Sequence, residues 1–273
     1  MTRRGLVLFG LMAVIWGIPY LFIRVAVAEI SPAVLVLART ALAAAILLPI
    51  ALVRVDLRPV LARWRWLVAF AVVEIAIPWI ALGSAEQHLS SSLTGLLIGL
   101  VGVAAIVGSD YSTTEPIALV EIAIVVVGYA IGPAILSRRL DGLSSVAVMA
   151  LSLVLCAIIY VPIAATQWPS SVPSPNVLAS VAILAVVCTA GALLLFAALI
   201  DEIGPVRSTV ITYINPAVAA VLGVLVLHET FSVAMAIGFG LVILGSMLAT
   251  RRPAAPQVSP VAAPEAALRT APK

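Results

Sequence analysis

Tyr213-Ile214-Asn215-Pro216 opens an apolar run that ends at His228-Glu229, and Gly238 and Gly245 follow, seven residues apart. The first half of the chain closes on the same spacing, Gly95 and Gly102. Asn176 begins a helical pattern 69 residues before Gly245, whereas Trp66 begins the equivalent pattern only 36 residues before Gly102. The shortfall is about one helix and its turn, because a spanning helix needs about 20 residues. The chain therefore reads as one membrane-spanning pattern written twice, with one helix absent from the first copy.

Composition sets the compartment. Hydrophobic residues make up 63% of the 273-residue chain and charged residues 10%. Soluble domains run near about 45–50% and about 25%, so lipid must solvate much of this surface. The net charge of +3 says little without its placement. Cys156 and Cys188 each lie inside an apolar run and read as small buried hydrophobes, not as a disulfide or metal pair. Arg3-Arg4, an apolar stretch and Ala26-Val27-Ala28 imitate a cleavable signal peptide. Arg24 just before that point, and the many spans beyond, argue instead for an uncleaved first helix.

Eight good spans are expected: 6–27, 31–53, 66–83, 117–136, 143–165, 176–200, 207–227 and 231–249. A ninth run, 93–108, is rich in glycine and too short to cross a core of about 30 Å. From 251 onward a Pro/Ala-rich tail is expected to be disordered. Arginines cluster at the N-terminus, in 54–65, at Arg138-Arg139 and in the tail. The connections 28–32, 84–92, 109–116, 166–175 and 228–230 hold neither Lys nor Arg. The positive-inside rule puts the first set, with the N-terminus, in the cytoplasm. Both ends of 93–108 then fall on one face. The charges describe a ten-span chain with both ends inside, and the chain carries at most nine spans.

Trp16-Gly17 followed by Arg24, Ser31-Pro32 followed by Arg39, and Tyr213-Ile214-Asn215-Pro216 leading to Glu229 and the paired glycines together carry a resemblance. The chain is similar to EamA-type transporters of the drug/metabolite transporter superfamily over nearly all of 1–250, with the fourth helix of the first repeat missing. The resemblance implies an all-α polytopic membrane protein of two inverted five-helix repeats around a central cavity, working by alternating access. On this reading 1–108 is the incomplete first repeat, 117–250 the second and 251–273 the tail.

Four ionisable residues lie within spans: Arg24, Arg39, Glu74 and Glu121. Intramembrane charge is costly and usually faces inward and paired, and two of each sign allow a neutral set. Glu74 falls near mid-membrane one turn before Pro78, where a kink would free a carbonyl. Burial disfavours the charged form of a carboxylate there, which makes Glu74 the candidate proton carrier. Trp16, Tyr20, Trp79, Tyr129 and Tyr213 offer flat faces and hydroxyls to an organic solute, or else anchor and pack. Asn215 can hydrogen-bond in the cavity beside the helix-breaking Pro216, and Pro133 is expected to bend its own helix as Pro78 does. The pathway set is thus Trp16, Tyr20, Arg39, Glu74, Trp79, Glu121, Tyr129, Tyr213 and Asn215.

Enzyme signatures are lacking. The one lysine, Lys273, excludes a phosphate-cradling loop of the Gly-Lys type. His88 and His228 stand in short polar connections and suggest no metal site. Scarce basic surface excludes a nucleic-acid partner. No cofactor is expected. The expected partners are a small polar organic solute (a metabolite or drug, exported across the inner cell membrane), the bilayer, a proton, and a second copy that would restore the missing wall. The rival reading is a degenerate, non-transporting membrane protein acting through helix association at small residues such as Gly95, Gly99 and Gly102.

Overall fold

The computed structural model describes residues 2–99, 116–204 and 214–230, with single residues 208, 211, 233, 236 and 240. The described chain is helical: α1 (Arg3–Gly17), α2 (Pro19–Ala26), α3 (Pro32–Arg54), α4 (Arg58–Ala62), α5 (Trp64–Phe70), α6 (Ile77–His88), α7 (Ser91–Gly99), α8 (Pro116–Arg139), α9 (Ser145–Ala165), α10 (Pro175–Ala185), α11 (Ala192–Ile203) and α12 (Asn215–Leu227). Two six-residue π segments, Ala71–Ala76 and Val186–Gly191, join α5 to α6 and α10 to α11. Among the described residues six stretches are long and apolar enough to cross a membrane: Arg3–Ala26, Pro32–Arg54, Trp64–His88, Pro116–Arg139, Ser145–Ala165 and Pro175–Ile200. The expected span 231–249 and the tail from 251 lie outside the described residues, apart from the single positions given above.

Local chemistry sets the helix starts. Ser31, Ser144 and Ser174 sit in extended backbone, and each hydroxyl accepts from the N–H three residues on, satisfying a donor that the first helical turn cannot. Pro32 and Pro175 occupy first positions, where a missing N–H costs nothing. Pro19 breaks the first span at Ile18, one residue past Gly17. Pro133 lies inside α8, which stays helical through it.

The two halves repeat each other closely. Ser31 caps α3 and Pro49 lies 18 residues on; Ser144 caps α9 and Pro162 lies 18 residues on. The first π segment is followed by a 12-residue helix, and so is the second, 115 positions later. By that offset α7 corresponds to 206–214, the stretch leading into Asn215, and not to the glycine-bearing run beyond Glu229 that the Gly95/Gly102 spacing suggests.

At the centre α3 packs along α9, in opposite directions, since Ser31 at the start of α3 donates to the Gln167 carbonyl just past the end of α9, at 3.5 Å. The ends are tied crosswise. Glu29, after α2, accepts from the backbone N–H and hydroxyl of Ser174 at 2.7 and 2.6 Å, and these bonds hold its carboxyl below the usual carboxylate range. At the opposite end Arg63 donates to the carbonyls of Arg139 and Asp141, both at 3.0 Å. Arg139 also stacks over Trp66, 4.5 Å from the ring centre. Most of the described arginines collect at this second end, the arginine-bearing end.

The stretch 84–92, read from sequence as a polar connection, is corrected: α6 runs to His88, so Glu86 is helical and 0% exposed. Ser91 then starts α7. Its N-terminal N–H groups at Ser91 and Ser92 donate to the Glu229 carboxylate at 2.7 and 2.9 Å. Burial pushes that carboxyl up, but the bonds from Ser92 and Ser91 outweigh burial and leave it below its usual range. The start of α7 thus lies beside the end of α12.

Candidate functional site

The first π segment has a cause in Pro78. Without an N–H, Pro78 cannot bond the carbonyl four residues back, which belongs to Glu74. A widened turn frees backbone carbonyls, and in an apolar bundle these need partners. The second repeat provides them. Tyr160 of α9 donates its hydroxyl to the Ala76 carbonyl at 2.8 Å, and the Cys156 thiol lies 3.4 Å from the Ala71 carbonyl.

The second π segment is held in return by α3. Arg39 Nε donates to Thr189 Oγ1 at 2.9 Å, and Thr189 donates to the Leu184 carbonyl at 2.8 Å. The central helix of each repeat therefore supports the widened turn in the third span of the other.

Arg39 is 7% exposed. Its guanidinium lies over the Trp79 ring, 3.7 Å from the centre, and Tyr20, Tyr129 and Cys188 lie within electrostatic reach. Trp79 is hydrogen-bonded to Tyr129. Four residues from four spans thus form one cluster: Tyr20 from α2, Arg39 from α3, Trp79 from α6 and Tyr129 from α8.

Glu74 adjoins the cluster through Tyr129, and its Oε2 is buried without a hydrogen-bond partner. It lies against Gly132 of α8, where any Cβ would clash with its carboxylate. One turn away, a Cβ at Gly128 would meet the Val73 carbonyl at 2.6 Å. The two glycines let α8 close on the π segment, as small residues do at membrane helix contacts.

The other expected pathway residues are placed elsewhere. Trp16 packs on Phe196 with ring centres 4.7 Å apart, within a separate apolar cluster around Met12 and Leu199. With its amide oriented to donate, Asn215 reaches the Ile211 carbonyl at 2.9 Å and the Ala13 carbonyl at 3.2 Å, which ties the start of α12 to α1. Pro216 follows at the first turn of α12. Glu121 keeps a buried, unpartnered Oε2 on α8. Tyr213 lies outside the described residues.

Arg24, Arg39, Glu74 and Glu121 do not form a paired set among the described residues. Arg39 is already held by a ring face and a hydroxyl, and Arg24 donates to the backbone carbonyl of Glu86. Glu86 is the residue that sequence reasoning missed: both its carboxylate oxygens are buried without partners. The absence of proline between Trp79 and His88 was the available signal, since nothing there forces the helix to stop.

A cavity of about 170 Å³ lies between Leu47, Leu136, Met149, Leu194 and Phe196, close to Ser145 at the arginine-bearing end. Leu47 is eight residues past Arg39, about 12 Å of helix. Among the described residues no cluster of His, Cys, Asp and Glu could hold a metal ion. Both cysteines are free and buried.

No curated protein matches the chain. One solved structure, titled only "Crystal structure of protein", is 17% identical to it, with a TM-score of 0.64 over 92% of this chain and 98% of that one; the likeness is one of fold. The EamA-like transporter family model matches twice, over residues 3–130 and 117–251. Those two matches take in nearly all of the chain and both halves of the repeat described above, and this multi-pass membrane protein belongs to the EamA-like transporter family.

Proposed function

We propose that the chain exports small polar organic solutes across the inner membrane by alternating access between two inverted repeats, coupled to a proton carried by Glu74. The carrying observation is the central cluster: an unpartnered buried carboxylate in a π segment, beside Tyr129, Trp79 and Arg39. Carboxylates in such positions mark proton relays in transporters. The crossed supports of the two π segments fit a mechanism in which the halves rock about their contact. Placing the arginine-bearing end and the N-terminus in the cytoplasm follows the positive-inside rule. The cavity at that end supports export, because a cytoplasmic solute would enter there.

The test is flux through the purified chain in sealed vesicles, with an internal pH dye and a panel of small polar solutes. Glu74→Gln should abolish flux driven by a pH gradient while sparing solute exchange. Unaltered driven flux would remove the coupling, and no flux with the intact chain would remove transport. The rival is a degenerate, non-transporting membrane protein acting through helix association at small residues such as Gly95. It predicts no flux and no solute-dependent change in stability.

A further inference from the structure

We propose that the transported solute is an organic anion and that Arg39 binds its carboxylate; the inference rests on the transport reading above and names its substrate class. A guanidinium cannot shed its proton, and removing a lone charge from water costs several kcal/mol unless a partner compensates. Arg39 is 7% exposed and has no carboxylate within 4.0 Å among the described residues. Its contacts are a ring face and a hydroxyl, Trp79 and Thr189.

The buried carboxylates of the bundle act on the tyrosines of the cluster and not on Arg39 itself. Tyr129 feels both Arg39 and Glu74, and Tyr20 feels both Arg39 and Glu86. Each tyrosine stands within reach of the cation and of one buried carboxylate. The groups that act on Arg39 are Tyr20, Tyr129 and Cys188, with no carboxylate among them, which leaves the guanidinium open to a counter-charge from outside.

The neighbours fit an acid with a flat or apolar body. A carboxylate matches the planar fork of a guanidinium, while the Trp79 ring and two tyrosines provide apolar faces with hydroxyls. An apolar cavity lies about 12 Å further along α3, on the side of the arginine-bearing end. Thr189 is the positioning residue: by engaging Nε it fixes the direction in which the rest of the fork points.

The experiment uses the full chain in lipid nanodiscs at pH 7 with benzoate and benzamide, two probes alike in shape and unlike in charge. Binding is read twice, by tryptophan fluorescence and by the thermal midpoint. Benzoate should bind at least about tenfold more tightly than benzamide, as expected for a charge-assisted pair. Arg39→Gln should erase the preference, Arg39→Lys should retain part of it, and Thr189→Val should weaken benzoate severalfold while leaving benzamide unchanged. If Arg39→Gln does not fold, the Lys and Val variants carry the test. Equal binding of the two probes, or a benzoate preference that survives loss of the guanidinium, overturns the proposal. The two readings fail separately: carboxylate binding without flux removes transport alone, and flux of neutral solutes without carboxylate preference removes the anion site alone.

Discussion

The segments Ala71–Ala76 and Val186–Gly191 occupy equivalent places in the two repeats, with equal length and equal following helices, yet they carry different chemistry. The first presents a carboxylate, Glu74, and is supported by neutral donors, Tyr160 and Cys156. The second presents a hydroxyl, Thr189, and is supported by a cation, Arg39. The residue of α9 equivalent to Arg39 is Ser152, whose hydroxyl is buried without a partner. A duplicated backbone has therefore kept its widened turns while the charges have parted, the acid on one turn and the base against the other. Backbone symmetry gives the halves matching mechanics, and broken side-chain symmetry gives the bundle a polar centre with direction.

The largest expected effect comes from closing the approach that the first segment needs and the second does not. Gly132→Leu drives a side chain into the Glu74 carboxylate, an overpacking that costs about 1–3 kcal/mol. The thermal midpoint should fall clearly, while Ala130→Leu on the exposed side of the same helix leaves it unchanged. Equal midpoints for the two variants would mean that α8 does not rest on the π segment.

The crossed supports come next. Tyr160→Phe orphans the Ala76 carbonyl and Thr189→Val removes the partner of Arg39. Each should cost about 1 kcal/mol, in the range measured for hydrogen bonds between membrane helices. The comparison sharpens in double variants. Thr189→Val combined with Arg39→Lys should be non-additive, because the residues touch, whereas Tyr160→Phe combined with Arg39→Lys should add. Additivity in both pairs would show that the two supports are equivalent after all.

The smallest effect concerns a contact with no described counterpart in the other repeat, Glu229 on Ser91 and Ser92. Its carboxyl is held below the usual 4.5 in the folded chain, so folding favours the charged form. The stability it contributes is complete above pH 4.5 and is lost as pH falls through the lower folded value. Amide exchange at Ser91 and Ser92 should therefore quicken in acid, and Glu229→Gln should flatten that dependence. An unchanged pH profile in the variant would assign the protection to packing alone.

Much of the bundle was legible because long apolar runs and serine caps are local signals. The first six spans fall within a few residues of their expected bounds. The π segments were not legible. In a helix that is apolar nearly all round, a single polar residue such as Glu74 or Thr189 sets no periodicity that one extra residue per turn could visibly break. Pro78 was the visible half of the cause; the other half lay at Tyr160 and Cys156, far along the chain. The gathering of Tyr20, Arg39, Trp79 and Tyr129 was legible as a set of residue types but not as a set of neighbours. Glu86 was hidden by its setting, since Gly83, Ser84, Gln87 and His88 make a helix end look like a loop.

The clamp between α7 and Glu229 also orders events in time. The first turn of α7 has its backbone N–H groups at Ser91 and Ser92 held by a distant carboxylate. The carboxylate that holds its start lies 138 residues later in the chain. At a synthesis rate of about 5–20 residues per second, Glu229 is made about 7 to 28 seconds after Ser91. For that interval the start of α7 is without the carboxylate that holds it in the folded chain, and assembly of the N-terminal half is completed by the C-terminal half as it arrives.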